Sequence, residues 1–183
     1  MKRQAGFTMT ELLVVSAIVA ILLSIGVPSY RYITNSYRMS SEVNGLLGDL
    51  MYARAEAIKE GQSVTICSST DGATCSGNQN WQTGWIIYSG NSAVAPAAGA
   101  VLRVQQAFTG NPPDTFVANP AINWITYNRE GFGTTALGFP NNNLVSLHDP
   151  TNNAVWTRCV VLTSQALASV QTPATSIPVG LCN

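Results

Sequence analysis

The sequence predicts an α+β protein in which one long N-terminal helix packs on an antiparallel β-sheet globular domain. Three observations carry that expectation. The chain opens with an apolar run, continues as an amphipathic stretch, and after Gly61 breaks into short β-rich runs divided by turn residues. A helix followed only by strands points to a helix laid on a sheet rather than to a parallel α/β fold. A chain of 183 residues leaves room for one ordinary globular domain beyond that helix.

The first element is the run over residues 7–27, 21 residues carrying one charge. As a helix it spans roughly 31 Å, enough to cross a bilayer core. Lys2 and Arg3 precede it and keep the start cytoplasmic. The anomaly is Glu11, because a carboxylate in lipid costs about 2.5 to 3.5 kcal/mol even on the lenient insertion scale. A secretory signal peptide accounts for the basic start, the apolar run and the small residues at Ser24-Ile25-Gly26, but has no use for Glu11. A plain membrane anchor meets the same objection, softened by the position of Glu11 near the interface. The third reading is a helix stored in the membrane that works in an assembly of similar helices. There the carboxylate pairs with a positive group on a neighbour and enforces register.

Beyond Pro28, the residues Ile33, Tyr37, Val43, Leu46, Leu47, Leu50, Ala57 and Ile58 recur at helical spacing and predict one buried face, with Gly61 as the C-terminal stop. Gly45 and Gly48 each cost roughly 1 kcal/mol against Ala in a helix, which close packing against the sheet would justify. Strands are expected at Ser63–Ser68, Gly84–Tyr88, Val101–Phe108, Ala121–Tyr127, Asn143–Leu147 and Ala154–Thr163. Asp149-Pro-Thr-Asn-Asn153 reads as a hairpin turn between the last two. The stretches Ser89–Gly99 and Gly110–Asp114 read as loops, and Ser169–Asn183 as an irregular tail.

Charged residues make up only 10% of the chain, and nine Lys plus Arg balance nine Asp plus Glu. No long-range field therefore draws the molecule to nucleic acid or anionic lipid. Cys67, Cys75, Cys159 and Cys182 all follow the apolar run, which suggests an oxidising compartment. Three pairings are formally open. The two local ones, Cys67 with Cys75 and Cys159 with Cys182, are favoured because each clips a neighbouring loop, contributing about 2.6 and 3.4 kcal/mol on the chain-entropy account. A zinc site is disfavoured by a single histidine, His148, and no CxxC spacing.

The stretch KRQAGFTMTELLVVSAIVAILLSIGVPS resembles the leader and N-terminal helix of type IV pilins and type II secretion pseudopilins. The resemblance implies cleavage by prepilin peptidase between Gly6 and Phe7, N-methylation of Phe7, and an assembly role for Glu11 at the fifth mature position. It also places Pro28 where the family's helix usually kinks. The freed amine of Phe7 is then the natural partner for Glu11 of the helix docking beside it. The segments LGDLMYARAEAIKEGQSVTICSS, WQTGWIIYSG and ITYNREGFGT are similar to blocks of the H-type pseudopilin and FimT/FimU minor-pilin family, in which the ARAEAIK end of the helix packs under the sheet with Arg54 and Glu56 at its rim.

The implied organisation is a leader over residues 1–6, a helix over 7–60 whose segment 7–27 serves for membrane and assembly, and a β-rich periplasmic domain over 61–183. The implied function is that of a type IV minor pilin that helps prime pilus assembly and form the tip complex, with an H-type minor pseudopilin of type II secretion as the alternative. The implied location is the bacterial inner membrane, single-pass, and after assembly the fibre or its tip. The implied partners are other minor and major pilins or pseudopilins, prepilin peptidase, an inner-membrane platform and the membrane itself. No cofactor, metal or catalytic residue is expected.

DNA capture, known for FimT-like members through a Gly-Arg-x-Arg stretch, is disfavoured because RCVVLTS continues here as QALASVQTP, leaving Arg129 and Arg158 as the only cations after Arg103. An enzyme built on His148 and Asp149 lacks a nucleophile with a recognisable signature. Trp81, Trp85, Trp124 and Trp156 are expected in the core rather than on a carbohydrate-stacking surface.

Overall fold

The structure, a computed structural model, describes residues 6–91, 95–110, 112–119, 121–135, 143–163, 167–173 and 182. Lys2 and Arg3 of the leader, the middle of the Ser89–Gly99 loop and most of the tail after residue 173 lie outside the described residues. The chain divides into two compact units, Met1–Arg38 and Met39–Asn183. Helix α1 runs Met9–Glu60, with Pro28 inside it, and Gly61 follows with a φ of 66°, the left-handed conformation that ends helices.

In the first unit the apolar window of α1 has none of its residues buried, and it is long and apolar enough to cross a membrane. In the second unit the helix buries Met39, Val43, Leu46, Asp49, Leu50, Ala53 and Ala57. That face differs from the expected one in instructive ways. Ile33, Tyr37 and Ile58 are exposed, and Leu47 is only half-buried. Ile58 falls with Met51 and Arg54 on a neighbouring stripe, whereas Asp49, a carboxylate, takes a core position.

Nine described strands follow: β1 (Val64–Ser68), β2 (Trp85–Ser89), β3 (Val101–Gln105), β4 (Thr115–Asn119), β5 (Trp124–Tyr127), β6 (Gly133–Thr135), β7 (Asn143–His148), β8 (Arg158–Leu162) and β9 (Ala168–Gln171). They form two antiparallel sheets rather than one, ordered β3-β2-β1-β5-β6 and β4-β7-β8-β9. A short 3-10 turn at Trp81–Thr83 precedes β2, and an Asn80–Val117 bridge links that approach to β4.

Both sheets share one core with α1. Val64, Ile66, Trp85, Ile87, Ile125 and Tyr127 from the larger sheet and Phe116, Val145, Leu147, Val160 and Leu162 from the smaller join the buried helix residues. Residues of opposite parity in the larger sheet, Cys67, Ile86 and Tyr88, form a second cluster with Val101 and Trp124. Strand β1 is consequently buried along its whole length, as expected of a strand covered on both faces.

Three strands escape the sequence reading for local reasons. Strand β4 sits between Pro113 and Pro120, β6 is three residues long and starts with a glycine, and β9 occupies part of the tail expected to be irregular. Strands β3, β5 and β8 are shorter than the expected runs. Strand β8 begins only at Arg158 because the turn started by Asp149 continues through Trp156, whose N–H donates to Asn153 O at 3.0 Å. Gly45 and Gly48 are exposed and a Cβ on either would meet nothing within 4 Å, so packing against the sheet does not account for them.

Candidate assembly and processing site

Thr8 stands immediately before α1, and its hydroxyl accepts from Glu11 N at 3.2 Å. In return Glu11 Oε2 accepts from Thr8 N and from Thr8 Oγ1, each at 3.0 Å. These reciprocal bonds make a capping box, which satisfies donors that a helix N-terminus otherwise leaves open. The signal was present in the sequence as Thr8-Met9-Thr10-Glu11, a Thr-x-x-Glu spacing before an apolar run. It gives Glu11 an intramolecular partner that the reading based on a neighbouring subunit did not contain.

The other residues expected at this end are open to approach. Phe7 is 83% exposed, Gly6 is exposed, and a Cβ on Gly6 would meet nothing within 4 Å. Phe7 and Glu11 border one shallow hollow together with Thr10, Val14 and Val15. The Gly6–Phe7 peptide bond therefore lies at an accessible, side-chain-poor point beside the only carboxylate of the apolar run.

In the second unit the polar centre is Asp49, which sequence reasoning missed. Its Oδ2 accepts from Trp85 Nε1 at 2.8 Å and its Oδ1 from Arg103 Nη1 at 2.5 Å. The Arg103 guanidinium also lies over the Tyr52 ring, 4.6 Å from its centroid. One helix carboxylate thus ties α1 to β2 and β3. No spacing rule marks Asp49, since its partners stand 36 and 54 residues away.

The blocks WQTGWIIYSG and ITYNREGFGT acquire physical reasons. Gly84 has a φ of 103°, and a Cβ there would sit 2.6 Å from Gln105 O, so only glycine lets β2 start beside the end of β3. Asn128 organises the β5–β6 turn through Oδ1, which accepts from Glu130 N at 3.0 Å and Phe132 N at 2.9 Å. Gly131, with a φ of 80°, brings this turn onto α1, where a Cβ would lie 2.8 Å from Ile58 and 3.1 Å from Arg54 Nε. Glu56, expected beside Arg54 at the rim, pairs with Lys59 at 2.8 Å.

Cys67 is bonded to Cys75 and Cys159 to Cys182, with Cα separations of 5.6 and 5.8 Å. The first bridge closes a loop centred on Asp71. Thr74 Oγ1 and Thr74 N donate to Asp71 at 2.6 and 2.8 Å, Ala73 N at 2.9 Å and Ser69 Oγ at 3.0 Å. The Thr74 hydroxyl above all, then the backbone N–H groups, hold the Asp71 carboxyl well below its ordinary value. Burial pushes the Tyr127 phenol well above its usual value, with the Arg54 charge acting against it.

The rival sites resolve into structural roles. The Asp149 carboxylate accepts from Thr151 N and Oγ1 and from Asn153 N, which commits it to the turn, while His148 Nδ1 lies 3.4 Å from Thr157 Oγ1. Trp81 and Trp85 are buried with ring centroids 6.4 Å apart, and Trp81 Nε1 donates to Ile122 O at 2.9 Å. Trp124 and Trp156 are half-buried against separate clusters, so the four rings form no common stacking surface. Among the described residues no three His, Cys, Asp or Glu side chains are grouped to hold a metal ion.

Comparison with known proteins matches residues 1–27 to the prokaryotic N-terminal methylation motif. The fold is shared with crystal structures of the type IV minor pilin FimU of Pseudomonas aeruginosa. One, in space group P65, superposes with a TM-score of 0.54 at 19% identity, covering 72% of this chain and 91% of the FimU chain. Another, in space group P21, gives a TM-score of 0.55 at 20% identity over 76% of this chain and 91% of that one. Residues 42–166, well over half of the chain, match the family of type II transport protein GspH, and the chain belongs to that family of structural pilin and pseudopilin subunits.

Proposed function

We propose that this chain is a minor pilin that helps prime assembly of a type IV pilus and takes its place in the tip complex. It is held in the bacterial inner membrane by residues 7–27, with the domain from Gly61 onward in the periplasm. Prepilin peptidase cuts between Gly6 and Phe7, and Phe7 is N-methylated. The observation that carries this reading is the exposed apolar helix with a single carboxylate four residues from the proposed new terminus. Such a surface is stable only in lipid or against other apolar helices.

The Thr8–Glu11 box adds a mechanism. Before assembly, Thr8 holds the Glu11 carboxylate and lessens the demand for a partner inside the membrane. On docking, the freed Phe7 amine of an adjoining subunit takes up the charge, a stronger interaction than the neutral donors of Thr8. Extraction from the bilayer is driven by other components of the inner-membrane platform.

A second reading, a minor pseudopilin of a type II secretion system, is favoured by the description of the matched family as a type II transport protein. One deletion separates the two. Loss of surface fibres and twitching with intact protein secretion supports the pilus reading. Loss of secretion with intact fibres overturns it in favour of the pseudopilin.

A further inference from the structure

In the first unit, the serines of the apolar run turn back on their own helix. Ser16 Oγ donates to Leu13 O at 2.9 Å and Ser24 Oγ to Ile21 O at 2.7 Å, which suits a surface surrounded by lipid. The character changes just past Val27, where Tyr30, Arg31 and Tyr32 follow one another. Tyr30 and Tyr32 are 70% and 53% exposed, and the exposed Arg31 side chain makes no hydrogen bond or ion pair among the described residues. No Asp or Glu stands in the sequence between Glu11 and Glu42. The nearby Thr34 hydroxyl is committed to the helix, donating to Tyr30 O at 3.0 Å and Arg31 O at 3.1 Å.

We infer that Tyr30, Arg31 and Tyr32 form a collar that engages the phosphate headgroups of the periplasmic leaflet before assembly. At the helical rise these residues stand about 4.5, 6 and 7.5 Å beyond Val27. The headgroup layer on each side of a bilayer core is about 5 to 7.5 Å deep, so the collar falls within it. Successive helical residues point about 100° apart, which spreads the three side chains over roughly 200° of the circumference. A single helix docking beside α1 meets a stripe of about 100°, whereas a surrounding headgroup layer meets the whole collar. The chemistry agrees with that occupant. The Arg31 guanidinium takes a phosphate with bidentate geometry, and the tyrosine rings pair an apolar body with a wet hydroxyl. Tyr37 and Arg38 stand about 15 and 16.5 Å beyond Val27, outside the layer, and serve as controls.

This inference rests on the reading above that residues 7–27 cross the membrane, and the test separates the two. The full-length chain, with arginine Cζ carbons labelled, is reconstituted in vesicles of phosphatidylethanolamine and phosphatidylglycerol. Solid-state NMR then reads the loss of Cζ signal caused by lipid phosphorus. Arg31→Gln is expected to remove part of that loss, and Arg38→Gln to remove none. Tyr30→Ala combined with Tyr32→Ala is expected to lessen the Arg31 contact, and Tyr37→Ala to leave it unchanged. A phosphorus contact undiminished in Arg31→Gln overturns the collar, and one undiminished in the double tyrosine variant overturns the part given to the rings. A nitroxide on Ser16→Cys reports the membrane reading independently through its access to oxygen and to a water-soluble nickel complex. If Ser16 lies in hydrocarbon while Arg31 shows no phosphorus contact, the collar alone fails. If Ser16 is open to water, both fail.

Discussion

Trp85 Nε1 donates a 2.8 Å hydrogen bond to Asp49 Oδ2, joining the helix to the second strand inside the core. Both residues are buried, whereas the Arg103 side chain on the other carboxylate oxygen is 52% exposed. The Trp85 bond therefore dominates, and the Arg103 pair is screened by solvent. Asp49→Ala leaves the indole N–H without an acceptor and is expected to destabilise the protein by about 2 to 4 kcal/mol. Asp49→Asn keeps an acceptor for Trp85 and should cost about 1 kcal/mol. Thermal unfolding of the three proteins in detergent checks the order, and equal melting temperatures for Asn and Ala would contradict it.

Glycines separate into two kinds. Gly84→Ala puts a Cβ 2.6 Å from Gln105 O at a φ of 103°, and is expected to cost about 3 kcal/mol or more. Gly45→Ala and Gly48→Ala meet open space and should instead stabilise the isolated protein by about 1 kcal/mol each. Urea denaturation of the single variants reads both signs.

The Asp71 carboxyl titrates below its unfolded value because of its donors from Thr74, Ala73 and Ser69. A depressed folded pKa means that the unfolded chain binds the proton first, so stability is present above the unfolded pKa, about 3.9, and declines as pH falls below it. Asp71→Asn should flatten the decline below about pH 4 and leave the slope near neutrality unchanged. Unfolding followed from pH 7 to pH 2 tests this.

Much of the architecture could be read from the chain because its signals are local. The apolar run, the three-and-four spacing through Val43, Leu46 and Leu50, and the stop at Gly61 describe α1 closely. The division into two sheets could not be read, since pairing partners such as β1 with β5 stand about 60 residues apart and depend on tertiary packing. Asp49 was invisible for the same reason: a helix-interior carboxylate looks solvated until the fold brings Trp85 and Arg103 to it. Thr8 is the opposite case. Its box with Glu11 is a four-residue pattern, Thr-x-x-Glu before an apolar run, and needs no tertiary contact to form.

Glu11 offers the most direct test, because its two roles respond differently to one substitution. Glutamine serves as well as glutamate in a capping box but carries no charge. Glu11→Gln should thus keep the cap and still lose the pairing with a neighbouring Phe7 amine, whereas Glu11→Ala loses both. The measurement is the amount of each variant in sheared fibres, alongside intact-mass confirmation that processing at Phe7 proceeds. The account predicts that Gln and Ala are both processed and both excluded from fibres. Wild-type incorporation of Glu11→Gln would contradict it, reducing the carboxylate to a helix cap.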